Sequence, residues 1–459
     1  MLRQPYSALR AAYRTGALSP LDVTRSALAH AEQVQQRLNA FALIDAERAL
    51  AIASASQARW AKGEPLSPLD GMPFTVKEFA AVQGWPTRRG SLVTPSEPAA
   101  QSAVFVERLL RAGVVLLGKT RAPEFNWKGV TDSPGYGITR NPLNPQLTPG
   151  GSSGGCAAAV AAGVVRVSLG SDAGGSVRIP AAFTGTVALK PSFGRIPLVP
   201  PPSAFFDVVH AGPIAASVAE LADVMQIVSG SHAGDWSSLG MRHVSFGDIP
   251  DAQGLRIGLL LEKHWKDSDR VVRQGMDEAL GLLSTAGFEI KPVDFDVRRA
   301  TQVGAFFYSL GCRAAVQAVP ETARLQMDPG LLRFVAPLER AGLPDVLAMR
   351  QARDALAAEL YGLFNEIDVL MLPTMSILPF EAGRNTPVDW PDDNWMSWNP
   401  LTPAFNLTQA PALSFPIWPR GAALPMGLQL VGAKGHDEVV LALAAWLERE
   451  RPIVLGERP

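Results

Sequence analysis

TPGGSSGGCAAAVAAGVVRVSLGSDAGGSVRIP, residues 148–180, holds two glycine-wrapped serine turns, Gly151-Ser152-Ser153-Gly154 and Gly174-Gly175-Ser176. Glycine opens backbone conformations closed to other residues and lets a ligand approach the main chain. A serine between glycines can therefore turn its hydroxyl and the neighbouring N–H groups toward one reacting group. The small-residue run between the turns, Ala157 to Gly163, reads as a tight buried helix, and the segment after it as a strand. Ordinary packing accounts for that spacer and leaves both serines unexplained.

Upstream, Asp70-Gly71-Met72-Pro73-Phe74-Thr75-Val76-Lys77-Glu78-Phe79 sets a lysine among apolar residues, as in a buried strand. Desolvating an ammonium is costly, so buried lysines are rare. An ion pair with Glu78 does not relieve it, because adjacent strand residues face opposite ways. A desolvated lysine has a lowered pKa and serves as a base.

Two other motifs compete for attention. Gly113-Val114-Val115-Leu116-Leu117-Gly118-Lys119-Thr120 matches the phosphate-loop pattern. Its four middle residues are aliphatic and read as the strand itself, and Pro123 interrupts any helix after it, so nucleotide binding is not expected. Gly150-Gly151-Ser152-Ser153-Gly154 fits the nucleophile-elbow pattern GxSxG. That motif needs a strand just before the serine, whereas Asn141 to Pro149 carries three prolines. It also needs a histidine, and His436-Asp437 reads as a helix cap. No Ser-x-x-Lys occurs, which argues against a penicillin-binding type of site.

The 459 residues are 47% hydrophobic, enough for a large core, with 42 basic against 43 acidic side chains. This balance points to neither nucleic acid nor an anionic membrane. No apolar run reaches the roughly 18 residues of a membrane span. Arg3, Arg10 and Arg14 faintly resemble a transit peptide, but helical periodicity runs straight on and no cleavage pattern intervenes. Cys156 and Cys312 alone make no disulfide framework and fit a reducing, cytoplasmic setting.

Lys77, the GGSSGG turn and SDAGGSVRIP together resemble the amidase signature family of serine hydrolases. The likeness runs on through Asp368-Val369-Leu370-Met371-Leu372-Pro373-Thr374 and Pro411-Ala412-Leu413-Ser414-Phe415-Pro416. It implies a Ser–cis-Ser–Lys arrangement of Ser176 (nucleophile), Ser152 (proton relay, its peptide bond with Gly151 cis) and Lys77 (base). It also implies an oxyanion hole from the N–H groups of Ala173, Gly174, Gly175 and Ser176, with Trp127 and Tyr136 as pocket walls. Asp172 and Arg178 read as an ion pair holding the turn. The substrate is expected to be a small-molecule amide, cleaved to acid plus ammonia or amine. No cofactor and no metal are expected, and a homodimer is left open.

Two departures leave the subfamily open: Glu78 where aspartate often follows the lysine, and Phe415-Pro416-Ile417 for a more usual Val-Pro-Cys type. A related role, the glutaminase component of tRNA-dependent amidotransferases, is disfavoured because Leu331-Leu332-Arg333-Phe334 stands in place of a basic Glu-Val-Lys-Arg-Arg-type segment. Trp127, Phe205, Phe206, Trp390, Trp395 and Trp398 fall in loop-like segments. They line a pocket for bulky or aryl amides, or else fill a second hydrophobic cluster or an interface.

Strand and helix patterns alternate without a composition break, which predicts an α/β fold in a single domain over residues 1–459. Residues 1–64 form a helical scaffold and 65–200 the catalytic core. The resemblance adds a mixed, twisted central β-sheet wrapped by α-helices. Expected helices are Ser19 to Leu38, an alanine-rich one to Lys62, Ser102 to Ala112, Val218 to Val228, Arg270 to Thr285, Asp345 to Phe364 and His436 to Arg449. Expected strands are Phe41 to Ile44, the one carrying Lys77, Val114 to Leu117, Leu255 to Leu261, Phe288 to Val293, Val369 to Leu372, Leu413 to Phe415 and Gly427 to Val431.

Overall fold

The computed structural model describes residues 3–201 and 205–456; Pro202 and the side chain of Phe206 lie outside the described residues. Local chemistry sets the first elements. Ser19 caps the helix Pro20–Leu38 by accepting from the Asp22 N–H at 3.1 Å, with Pro20 at its first position. Asp45 caps the alanine-rich helix Ala46–Lys62 in the same way.

The strands follow in chain order: β1 (Phe41–Ile44), β2 (Pro73–Lys77), β3 (Val115–Thr120), β4 (Asp132–Ser133), β5 (Gly137–Ile138), β6 (Val167–Asp172), β7 (Val187–Lys190), β8 (His210–Ala215), β9 (Arg256–Leu260), β10 (Glu289–Val293), β11 (Val369–Pro373), β12 (Ala412–Ile417) and β13 (Met426–Val431). The pair β4–β5 stands apart. The others form one eleven-stranded sheet in the order β1-β3-β2-β6-β8-β7-β12-β13-β11-β9-β10. It is mixed: β2 runs parallel to β3 and β6, whereas β8 is antiparallel to β6 and β7. Helices cover the sheet, and among the described residues none is long and apolar enough to cross a membrane. The single-domain α/β expectation holds.

Several elements were not anticipated, among them β7, β8 and the helix Val297–Gln317. Strands β7 and β8 are short or interrupted by Gly212 and Pro213, which weakens any alternating pattern. The helix Val297–Gln317 contains Gly304 and Gly311, residues of low helix propensity. Elsewhere the predicted elements are present with ends shifted by a few residues. The phosphate-loop match is strand from Val115 through Thr120, and Lys119 is buried with its ammonium donating to Pro86 O at 2.7 Å. His436 sits at the N-cap position of the helix Asp437–Glu450, but its side chain makes no capping bond.

Packing gives a main hydrophobic core around the sheet and a second, aromatic cluster. The second cluster gathers Trp127, Tyr308, Trp395 and Trp398, and it lies against the Gly174-Gly175-Ser176 turn. Trp127 and Trp398 are therefore buried, not exposed on loops.

Candidate active site

Strands β2 and β6 are parallel neighbours in the register Val76↔Leu169. Their carboxyl ends therefore lie together, the edge at which open α/β sheets carry their sites. Lys77 ends β2, and Ser171 and Asp172 end β6. Lys77 Nζ lies 2.6 Å from Ser152 Oγ and 3.0 Å from Ser171 Oγ. Ser171 is a partner that sequence reasoning missed; its position two residues past Leu169 on a parallel strand could have indicated it. Lys77 makes no ion pair with Glu78, whose charged neighbours are Lys119, Arg121 and Arg88. Burial pulls the Lys77 ammonium down to about 7, against the opposing influence of Cys156 and Asp172.

The Ser152 turn is built by close backbone approach. A Cβ at Gly151 would meet the Val130 carbonyl carbon at 2.5 Å. Thr131 Oγ1 donates to Gly150 O at 2.8 Å and accepts from the Gly154 N–H at 3.0 Å. The Gly151–Ser152 peptide bond is cis. Ser153 joins the two turns: its N–H donates to Ser176 O at 3.1 Å, and its hydroxyl to Ser171 O at 3.1 Å. The small-residue helix then runs from Gly154 to Ala161, buried throughout.

In the second turn, Asp172 is the organiser. Its carboxylate accepts from the Gly175 N–H at 2.7 Å and the Val177 N–H at 3.2 Å, and it pairs with Arg178 through two oxygens. Burial alone would raise this carboxyl, but Arg178 beside it holds it well below the usual carboxylate range. Arg178 also donates to Thr402 O, Gln429 Oε1 and Asn406 Oδ1, so every face of the guanidinium is used. The pair is structural, as expected. Arg178→Leu should cost about 3–5 kcal/mol in urea unfolding, because it strands a buried carboxylate; a loss below 1 kcal/mol would remove Arg178 from this role.

The expected oxyanion set narrows here. The Gly175 amide is spent on Asp172, which leaves the amides of Ala173, Gly174 and Ser176. Gly175 contributes conformation instead, with φ +119° and a Cβ position only 2.2 Å from Thr402 Oγ1. Two residues unforeseen in the sequence fix the same peptide: Asn399 Nδ2 donates to Gly174 O at 2.8 Å, and Thr402 Oγ1 lies 2.7 Å from it. Thr402→Val should therefore lower kcat about tenfold with KM little changed, and Thr402→Ser should restore it. A loss in Thr402→Ser as large as in Thr402→Val would show that the hydroxyl alone does not account for the effect. Ser176 is 3% exposed, and no hydrogen bond among the described residues engages its hydroxyl.

Tyr308 and Trp395 close the other side of the turn, each within 3.7 Å of where a Gly174 Cβ would stand. Trp127 stands behind them and bonds Asp328 Oδ2 through its indole N–H at 3.1 Å. Phe205 stacks obliquely on Tyr308 at 5.1 Å. Tyr136 lies beneath Arg121, in the charged cluster around Glu78.

A buried lysine touching a serine, beside a glycine-wrapped second serine, is the layout of a serine–lysine hydrolase. The profile of the Amidase family matches residues 22–441, and the chain belongs to that family of amide hydrolases. Over 466 residues it is 32% identical to the A-type chain of the glutamyl-tRNA(Gln) amidotransferase of Chloroflexus aggregans, covering 95% of this chain and 93% of that protein. A bacterial aryl acylamidase of the amidase signature family superposes with a TM-score of 0.90 at 27% identity, covering 98% of this chain and 96% of the other. The 6-aminohexanoate cyclic dimer hydrolase gives 0.88 at 26% identity, with 98% of each chain covered.

Proposed function

We propose that the protein cleaves a small-molecule carboxylic amide through an acyl-enzyme on Ser176. The observation that carries this reading is the 2.6 Å contact of a fully buried Lys77 with Ser152. A neutral Lys77 takes the Ser152 proton as Ser152 takes that of Ser176, and the Ser176 oxygen adds to the amide carbonyl. The N–H groups of Ala173, Gly174 and Ser176 receive the oxyanion. The proton returns through Ser152 to the leaving nitrogen, the C–N bond breaks, and water releases the acid by the reverse relay.

The aromatic cluster around Gly174 favours bulky or aryl amides over glutamine. A higher kcat/KM for glutamine than for every aryl amide tested would refute that preference. The reading needs neither nucleic acid nor membrane and sets the enzyme in the cytoplasm; the free, buried Cys156 and Cys312 agree with that.

A second reading, the glutaminase component of a tRNA-dependent amidotransferase, is favoured by the full-length likeness to such chains. Against it, the segment Leu331-Leu332-Arg333-Phe334 is apolar helix with Leu331 buried in the aromatic cluster. The purified chain alone decides: amide hydrolysis without a partner supports the first reading, and activity only with added partner chains the second.

A further inference from the structure

A cavity of about 810 Å³, within the size range of small-molecule sites, lies along the helix Val297–Gln317. Phe307, Leu310, Gly311 and Ala314 of that helix line it, at the spacing of one helical stripe. The neighbouring stripe, Tyr308, Cys312 and Ala315, packs in the aromatic cluster. Tyr308 also stands 3.6 Å from where a Gly174 Cβ would be, so adjacent stripes of one helix wall the cavity and the Gly174-Gly175-Ser176 turn. Phe205 spans the crest between them: it lines the cavity, and its ring lies 5.1 Å from that of Tyr308.

Inside, the cavity offers an occupant mainly apolar wall, completed by Phe193, Ile196 and Leu198. Its charged groups are spent or lie at the surface. Asp207 pairs with Arg353 at 2.6 Å, and Asp235 accepts from the Leu198 and Ser237 N–H groups. Arg350 and Lys434 are exposed and so mark the outer end. His210 Nδ1 faces the Val208 and Asp172 carbonyls, and burial closes its Nε2 off from the cavity.

The order of the sheet separates the two halves of an amide. Strands β2, β6 and β8 are successive neighbours, about 4.8 Å apart. Lys77 ends β2 and holds Ser152, the Gly174-Gly175-Ser176 turn follows β6, and His210 of β8 pairs with Asp172. The cavity, with His210 in its wall, thus lies on the side of the turn away from Ser152. In the proposed mechanism Ser152 returns its proton to the leaving nitrogen, so the nitrogen sits toward β2 and the acyl substituent toward β8. Given the acyl-enzyme proposed above, on which this reading rests, we infer that the cavity is the acyl arm of the substrate cleft. It takes the apolar chain of amides of medium-length aliphatic or arylalkanoic acids, and Phe205, at its neck, sets what enters.

The test is kcat/KM of the full-length protein for the 4-nitroanilides of acetic, butyric, hexanoic and octanoic acids, read as released 4-nitroaniline. It should rise about threefold per methylene from butyryl to octanoyl, near the transfer worth of a buried CH₂. Ala314→Phe and Leu310→Trp, which fill the cavity from its helix wall, should each lower the octanoyl-to-acetyl ratio about tenfold or more. Phe205→Ala should raise the ratio of 2-ethylhexanoyl to octanoyl about tenfold, because the neck widens; an unmoved ratio removes Phe205 from the neck. A flat profile across anilides that are all cleaved overturns the arm and leaves the amidase reading standing. Octanoyl-to-acetyl ratios unmoved by both filling variants overturn it too, as does a length preference found instead among N-alkylacetamides. Cleavage of none of the anilides strikes at the acyl-enzyme reading itself, and the arm falls with it.

Discussion

Ser176→Ala should remove amide turnover by roughly 10⁴- to 10⁶-fold while leaving the thermal melt in place. The two halves have separate causes. Members of a nucleophile–base unit act together, so under the proposed mechanism loss of the attacking oxygen leaves only what binding and the oxyanion donors contribute. The fold is indifferent because the Ser176 hydroxyl holds no hydrogen bond among the described residues; the turn is kept by Asp172, Arg178, Asn399 and Thr402 instead. Mass spectrometry after a serine-directed fluorophosphonate should find the adduct on the peptide containing Ser176. An adduct on Ser152, with Ser176→Ala still active, would sink the assignment and return the nucleophile-elbow reading of GGSSG.

Lys77→Ala should cost on the order of 10³- to 10⁴-fold on amides and much less on activated esters. An amide nitrogen leaves only with a proton, which in the proposed mechanism the Lys77 ammonium supplies through Ser152; a phenolate leaves without one. The informative quantity is the ratio of the two losses in one variant. Slight, equal losses would make Lys77 a buried structural lysine and end the mechanism.

The pH profile checks the same group independently. Lysine ordinarily titrates near 10.4, where almost none is neutral at pH 7. Burial lowers Lys77 to about 7. Below that value the ammonium cannot accept the Ser152 proton, and above it the amine can. Amide kcat/KM should therefore rise with pH through about 7 and level off above, and Lys77→Ala should flatten the rise. Chelators should change neither. A rising limb that survives in Lys77→Ala belongs to another group.

Much of this was legible in the chain. Lys77 sits among Phe74, Val76 and Phe79, and a strand so apolar has no wet side to offer an ammonium; burial followed from that alone. Serines wrapped in glycine likewise marked both turns, since packing has no use for them. The aliphatic middle of Gly113 to Thr120 showed a strand where a motif suggested a phosphate cradle. Helices with a cap or a clear apolar stripe, such as Pro20–Leu38 and Arg270–Thr285, were equally readable.

What resisted reading depends on contacts made across long separations. Nothing near Gly174 in the chain announces Asn399 and Thr402, more than two hundred residues on, yet they hold its carbonyl. Trp127 and Trp398 lie in segments that look like loops, and only their convergence with Tyr308 and Trp395 makes them core. The Gly175 amide looked like an oxyanion donor because local pattern cannot tell where an N–H points; the bend of the turn aims it at Asp172. Local sequence thus determined which residues are unusual, through desolvation cost and backbone freedom. Tertiary structure decided which of them meet, because direction and distance between far-apart segments arise only when the sheet brings them together.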